Sequence, residues 1–242
     1  MSGAKRPPWV DKDEFYRLPF NYCDRWCEKC NLNSLCKVFQ EGEKSKKEWL
    51  AAGKDPDTWE YVFESVSKSL QEAFVLLAKE AEKQGIDLEK IDYSEEEEQP
   101  KPKALRIYRL VREFSDTIQK TLKDLQVVTA DTDQNLVLRN AEVLSYYSTL
   151  IPSKVYRAAM SKFREEKDPL LEEFCGDSRI SAFIVVEAFN EIICSLTELI
   201  NHSPLRPMRG RLFHLRKVAI NLREATGVEF AAEELFNDAS FD

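Results

Sequence analysis

This sequence predicts an all-α protein, a helical bundle of about five amphipathic helices with a four-cysteine metal-binding knuckle near the N-terminus. Three observations carry that expectation. Apolar residues recur at three- and four-residue steps over five long stretches, the signature of one-sided helices. Glycine is scarce, 7 residues in 242, where average usage gives roughly 17. No stretch alternates apolar and polar residues convincingly enough for a strand. Folds that spend glycine freely on turns, such as Rossmann and P-loop folds and β-sandwiches, are therefore disfavoured. A content of 43% hydrophobic residues is enough for a sizeable core.

Taken in order, residues 1–54 form a leader with short elements and four crowded cysteines. Met1 to Phe15 carries charges and prolines but no apolar stretch, so no secretory signal is expected. Asp55-Pro56 reads as a helix start, Asp as N-cap and Pro at the first helical position. Trp59, Val62, Phe63, Val66, Leu70, Phe74, Leu77 and Ala81 then form one apolar stripe, and Gly85 is placed to end the helix. From Asp87 to Lys103 the pattern stops. Ser94, Glu95 to Glu98, Pro100 and Pro102 make a self-repelling linker, or alternatively an acidic docking segment.

A second helix is predicted from about Ala104 to Leu125, with Leu105, Tyr108, Val111, Phe114, Ile118, Leu122 and Leu125 on one face. Asp131 and Gln134 have the spacing of a capping pair. The third helix carries Leu136, Leu138, Val143, Leu144, Tyr147 and Ile151, until Pro152 stops or kinks it. A shorter piece follows over about Ser153 to Arg164. Phe174 to Asp177 reads as a turn, and Asp177 or Ser178 caps a fourth helix holding Ile180, Phe183, Ile184, Ala188, Ile192, Leu196 and Leu199. His202-Ser203-Pro204 breaks it. The fifth helix buries Leu212, Leu215, Val218, Ala219 and Leu222 and runs to Thr226, with Gly227 as its end. The expected division is thus a leader (1–54), a bundle (55–227) and a loose tail (228–242). Glu187 and Glu191 interrupt the most apolar stretch, Ile180 to Ile193, leaving it short of the ~20 residues of a membrane span. A soluble, cytoplasmic protein without membrane contact is expected.

Cys23, Cys27, Cys30 and Cys36 are spaced C-x3-C-x2-C-x5-C, while Cys175 and Cys194 stand alone. Crowding of this kind in a chain without a secretory signal points to metal rather than disulfides. Two residues between Cys27 and Cys30 let both sulfurs turn toward one ion, and the short flanking separations let the other two converge. Arg25, Lys29 and Lys37 are expected to lower the thiol pKa values, and Trp26, Leu32, Leu35, Val38 and Phe39 to shield the site. A closed four-thiolate zinc site is the preferred reading, because such sites fold segments that lack a core. An iron–sulfur cluster is the alternative, and four unliganded thiols the third.

Cys23, Cys27 and Cys30 also resemble the C-x3-C-x2-C triplet of the radical S-adenosylmethionine enzymes, a resemblance that implies a β/α barrel. Lys29 stands where that family carries an aromatic residue, no predicted strand precedes Cys23, and no glycine-rich segment follows. The eight matching residues are read as coincidence.

Catalytic motifs are sparse. His202 and His214 lack a glutamate three residues before them, so no Glu-x-x-His di-iron pattern exists. Glu198 and His202 share a helix face and are read as an ordinary surface or capping pair. Glu187 and Glu191, with Asn190 beside them, lie on an otherwise apolar helix. A buried carboxylate there is paired, protonated or ligand-bound. The plain expectation is a salt bridge to an arginine of a neighbouring helix, such as Arg139 or Arg216, and the sharper one a polar interhelical pocket for a small ligand. Acidic residues outnumber basic ones by 43 to 35, a net charge of −8, which argues against binding nucleic acid or anionic membranes through bulk charge. Yet Arg206, Arg209, Arg211, Arg216, Lys217 and Arg223 follow one another without an acidic residue. They are expected to pair with carboxylates within the chain. The alternative is an anion-binding strip for nucleic acid or a phosphorylated ligand. Function is accordingly expected to be that of an interaction or regulatory module with a protein partner. An iron–sulfur redox protein and an enzyme with a carboxylate-lined pocket are the other classes.

Overall fold

The computed structural model describes residues 23–88, 101, 105–128, 134–167 and 177–232. Among the described residues there are six α-helices and no strand: α1 (Lys37–Ala51), α2 (Trp59–Gln84), α3 (Arg106–Val128), α4 (Gln134–Lys167), α5 (Asp177–Asn201) and α6 (Arg209–Glu229). Short 3-10 turns cover Cys27–Lys29, Asn33–Leu35 and Ser203–Met208. The all-α expectation holds, and the leader contributes a long helix, α1, that its polar sequence did not announce. The described residues fall into two compact units. One spans 26–88, and the other combines 23–25 with the residues from 101 onward. The boundary thus lies after α2, whereas the sequence division placed that helix with the bundle.

In the first unit, Trp49 meets Tyr61 edge-on at 5.3 Å between ring centroids and donates from Nε1 to the Asp55 carbonyl at 3.1 Å. The Lys54 ammonium sits 4.1 Å over the Trp49 ring. The start of α2 differs from expectation. Thr58 is the N-cap, its hydroxyl accepting from the Tyr61 amide at 3.4 Å, while the Asp55 carboxylate accepts from Asp57 N–H and folds the preceding turn. Gly85 ends α2 as predicted, in the left-handed region at φ 69°, and Ile86 N–H closes back on the Ala81 carbonyl at 2.8 Å. Tyr61, Glu64, Lys68 and Glu72 of α2 line a polar cleft of about 710 Å³ shared with α1. The stripe predicted to be core is on another face and is open. Trp59 is 77% exposed, Phe63 69%, Phe74 68% and Leu70 55%, and only Ala81 of that stripe is buried.

The second unit is a four-helix bundle. α3 packs against α4 and α6, α4 against α5, and α5 against α6, closing a ring of neighbours. Val111, Phe114, Ile118 and Leu125 of α3 face Leu144, Ile151 and Val155 of α4, Phe189, Ile192 and Leu196 of α5, and Leu212 and Leu215 of α6 in one core. Each such side chain contributes about 1.5–3 kcal/mol by leaving water. The Phe114 and Phe189 rings meet at 5.8 Å. By length and composition α5 is apolar enough to cross a membrane. Its apolarity is accounted for by burial, since residues from Ser178 to Ile200 are enclosed on most of the helix surface.

Several predicted boundaries shift. Pro152 neither stops nor divides the third helix, because α4 continues from Gln134 to Lys167. Tyr147, Ile151, Val155 and Ala158 remain buried at three- and four-residue steps through the proline, so packing sustains the helix across it. Gly227 lies buried inside α6, which ends two residues later. Leu138 points outward at 62% exposure, and Val137 is buried instead. Phe230 and Ala232, assigned to a loose tail, are buried. The linker residues 89–100, the Asp131 cap and the Phe174–Gly176 turn lie outside the described residues.

Candidate functional site

The cysteine segment is built from consecutive tight turns. Lys29 N–H donates to the Trp26 carbonyl and Cys30 N–H to that of Cys27, at 3.0 and 3.2 Å. Asn33 N–H then reaches Cys30 O, and Cys36 N–H reaches Asn33 O, at 3.3 and 3.2 Å. Cys36 becomes the N-cap of α1 without a side-chain capping bond. The Leu32 amide donates to Cys30 Sγ at 3.4 Å. Trp26 is buried, and Lys29 lies 4.1 Å over its ring. All four thiols are half-buried and free of disulfides. Among the described residues, no three Cys, His, Asp or Glu side chains are gathered as an ion would require.

Residues 23–25 belong to the bundle unit. Tyr146 donates its hydroxyl to the Asp24 carbonyl, and Tyr147 donates to Asp24 Oδ2 at 2.9 Å. Arg25 takes a left-handed conformation, φ 64°. Burial, followed by the Asp24 carboxylate, holds the Tyr147 phenol well above its ordinary range. The expected lowering of thiol pKa by nearby cations does not hold at Cys23. Burial pushes this thiol up, and the Arg25 backbone donor with the Lys154 and Arg25 charges does not offset it. Lys154, 7% exposed, is itself pushed down by burial.

At the α5 carboxylates the arginine of the neighbouring helix that acts on Glu187 is Arg223, rather than either of the two named from the sequence. Glu187 and Glu191 are exposed. Asn190 donates to Glu187 Oε1 at 3.2 Å and accepts from Arg223 Nη1 at 3.1 Å, so the group faces α6 as a surface network. Although the Glu187 side chain reaches solvent, partial desolvation of its carboxyl by the surrounding atoms raises its pKa, opposed by the Asn190 hydrogen bond. Arg139 pairs instead with Glu198 at 2.6 Å, and Asn140 donates to the same carboxylate at 3.0 Å. These bonds, Asn140 first and Arg139 second, hold Glu198 below the usual carboxylate value. Glu198 is therefore not engaged with the His202 side chain, whose Nε2 is buried without a partner among the described residues.

Of the basic strip, Arg211 forms an ion pair with Asp124 of α3, and Arg223 lies 3.8 Å from Glu224. Arg206, Arg209 and Lys217 are exposed. Arg216 is half-buried with its Nε enclosed and unpartnered.

Sequence reasoning missed one polar cluster at the α4–α5 junction. Asp177 receives Arg157 through Nε and Nη2, both at 3.0 Å, and Ser161 Oγ at 2.6 Å. The next residue, Ser178, gives its amide to buried Glu165 Oε1 at 3.0 Å and its hydroxyl to Oε2. A glutamate of α4 thereby satisfies an N-terminal amide of α5. Asp177-Ser178 was legible as a helix start, but the partner lay thirteen residues upstream on another helix. Comparisons with protein-family models, with curated proteins and with solved structures found no match to this chain.

Proposed function

We propose that this is an intracellular, metal-binding helical protein that works as an interaction module, with Cys23, Cys27, Cys30 and Cys36 holding one structural zinc ion. The C-x3-C-x2-C-x5-C spacing carries the reading. It is supported by the tight turns between Cys27 and Cys36 and by the Leu32 amide aimed at Cys30 Sγ. Bound zinc ties the segment down by drawing the thiolates together, and metal binding then adds directly to the folding free energy.

The interaction part of the reading rests on α2. Trp59, Phe63, Val66, Leu70, Ala73 and Leu77 alternate steps of four and three residues, a repeat that matches the seam of another helix. The shoulders at Val62, Ser67, Ser69, Phe74 and Leu76 are uncharged, and Glu60 beside Trp59 is charged. The partner that suits this face is an amphipathic helix of a protein, with an apolar seam and neutral shoulders.

Elemental analysis and a visible spectrum of anaerobically purified protein test the metal. One zinc per chain in a colourless protein is expected, and Cys27→Ser with Cys30→Ser abolishes it. Brown protein with stoichiometric iron moves the assignment to an iron–sulfur centre. The absence of any stoichiometric transition metal removes the proposal.

A further inference from the structure

We infer that the exposed face at the start of α6 is a binding strip for single-stranded nucleic acid, formed by Arg206, Arg209, Phe213 and Lys217. This inference is independent of the metal and of α2. Internal pairing was the plain expectation for the basic residues of this region, and it accounts for only part of them. Asp124 holds Arg211, and Asn190 with Glu224 engages Arg223. Arg206, Arg209 and Lys217 are exposed, and none has a side-chain ion pair or hydrogen bond among the described residues.

The buried residues Leu212, Leu215, Ala219 and Leu222 fix the inward side of α6. Arg209, Phe213 and Lys217 follow one another at four-residue steps on the outward side, a rise of about 6 Å each. Arg206 precedes them on the 3-10 turn Ser203–Met208. Phe213 is 48% exposed, a large apolar ring left open between two cations. Exposed arginine forks bind phosphate and stack on planar rings, and an exposed phenyl between cations offers a base a stacking surface. The start of α6 leaves room for a strand on this side, since a side chain at Gly210 would meet open space. A phosphorylated peptide would recruit the cations but has no use for the ring. The combination of linear charge with an aromatic ring therefore selects a strand with both phosphates and bases. Local positive charge of this kind operates within a chain of net charge −8 because surface charges beyond about a Debye length, ~10 Å, are largely screened.

Fluorescence anisotropy with a labelled twelve-nucleotide oligouridylate and oligothymidylate, using the full chain, tests this at 20 and 200 mM salt. Binding is expected at low salt and to fall at least tenfold at the higher salt. Arg209→Ala with Lys217→Ala should weaken it at least tenfold and flatten the salt dependence. Phe213→Ala should weaken it several-fold and leave the salt slope unchanged. Lys79→Ala on α2, as a control, should change nothing, and circular dichroism should confirm that each variant is folded. No binding at 20 mM salt overturns the inference. So does binding that heparin reproduces while Phe213→Ala is silent, which marks a bare polyanion surface.

Discussion

Two carboxylates on α5 show how the same side chain acquires opposite behaviour from its surroundings. Glu198 accepts from Asn140 and Arg139, and these bonds favour its charged form and depress its pKa. Its contribution to stability is present above the unfolded value near 4.5 and is lost as pH falls through the lower folded pKa. Glu187 is raised, first by burial, so the sign reverses. What it contributes is present below 4.5 and is lost as pH rises through the folded pKa. Both groups are exposed enough for solvent to screen them, so each effect is small, about 0.5 kcal/mol or less. Glu198→Gln is expected to lose that amount at pH 7, with the loss vanishing in acid. Glu187→Gln should gain a similar amount at pH 7 and nothing at pH 4. Urea titrations at both pH values check the opposed signs, and equal behaviour of the two variants contradicts the geometry. The residue scale was where the sequence was least legible. Glu187, Asn190 and Glu191 stood out as polar residues on an apolar helix, but periodicity could not tell a core position from a helix margin. Nor could it choose Arg223 over Arg139 or Arg216 as the cation facing them, because that choice depends on which turns of α5 and α6 meet.

At the scale of the element, period was legible and partner was not. The apolar repeats located α2 to α6 correctly, since a one-sided stripe requires a helix whatever covers it. α1 escaped because Lys37–Ala51 carries its large apolar residues only at its two ends, Val38 and Phe39 at one and Trp49 and Leu50 at the other, which makes no continuous stripe. The stripe of α2 was found and expected in a core, but its large apolar side chains lie open. Pro152 is the converse case, a local signal overridden by packing. It removes the amide that would reach the Ser148 carbonyl and crowds the preceding turn. Yet Ile151 and Val155 on either side are fully buried, and Leu144 and Ala158 extend the same core face. Ser153 turns its hydroxyl back onto the Leu150 carbonyl at 2.7 Å beside it. Since the helix persists despite the proline, Pro152→Ala restores a missing hydrogen bond without repacking the core. It also frees the unfolded chain, which offsets part of the gain. A net stabilisation of about 1–2 kcal/mol is expected, visible as a raised midpoint in thermal unfolding. A destabilised variant means that the proline fixes a bend the core depends on.

For the whole molecule, the division into two units implies unequal stability along one chain. The bundle encloses α5 on most of its surface, and its strongest polar links, Arg157 to Asp177 and Glu165 to Ser178, fasten that helix to α4 at its first turn. Opening α5 therefore requires separating it from both α4 and α6, which amounts to global unfolding. α2 has a 26-residue backbone ladder but almost no enclosed side chain of its own. Little apolar burial is lost when it opens, so its amides exchange through local fraying at a small fraction of the global cost. The composition foretold a protein with enough apolar residues for a core. It could not foretell that the core would be concentrated in α3 to α6, because the α2 stripe has the same period and residue types as the buried ones. Native-state hydrogen exchange separates these cases. With metal removed and no partner added, amides in the middle of α5 are expected to show protection near the global unfolding free energy. Those between Val66 and Leu77 should exchange at least a hundredfold faster. If the proposed zinc site forms, adding one equivalent of zinc should raise protection between Cys27 and Cys36 and leave the centre of α5 unchanged, because the bundle core contains none of those residues. Equal protection of α2 and α5 in the metal-free chain would mean that the stripe is covered in solution and that the chain unfolds as one cooperative body.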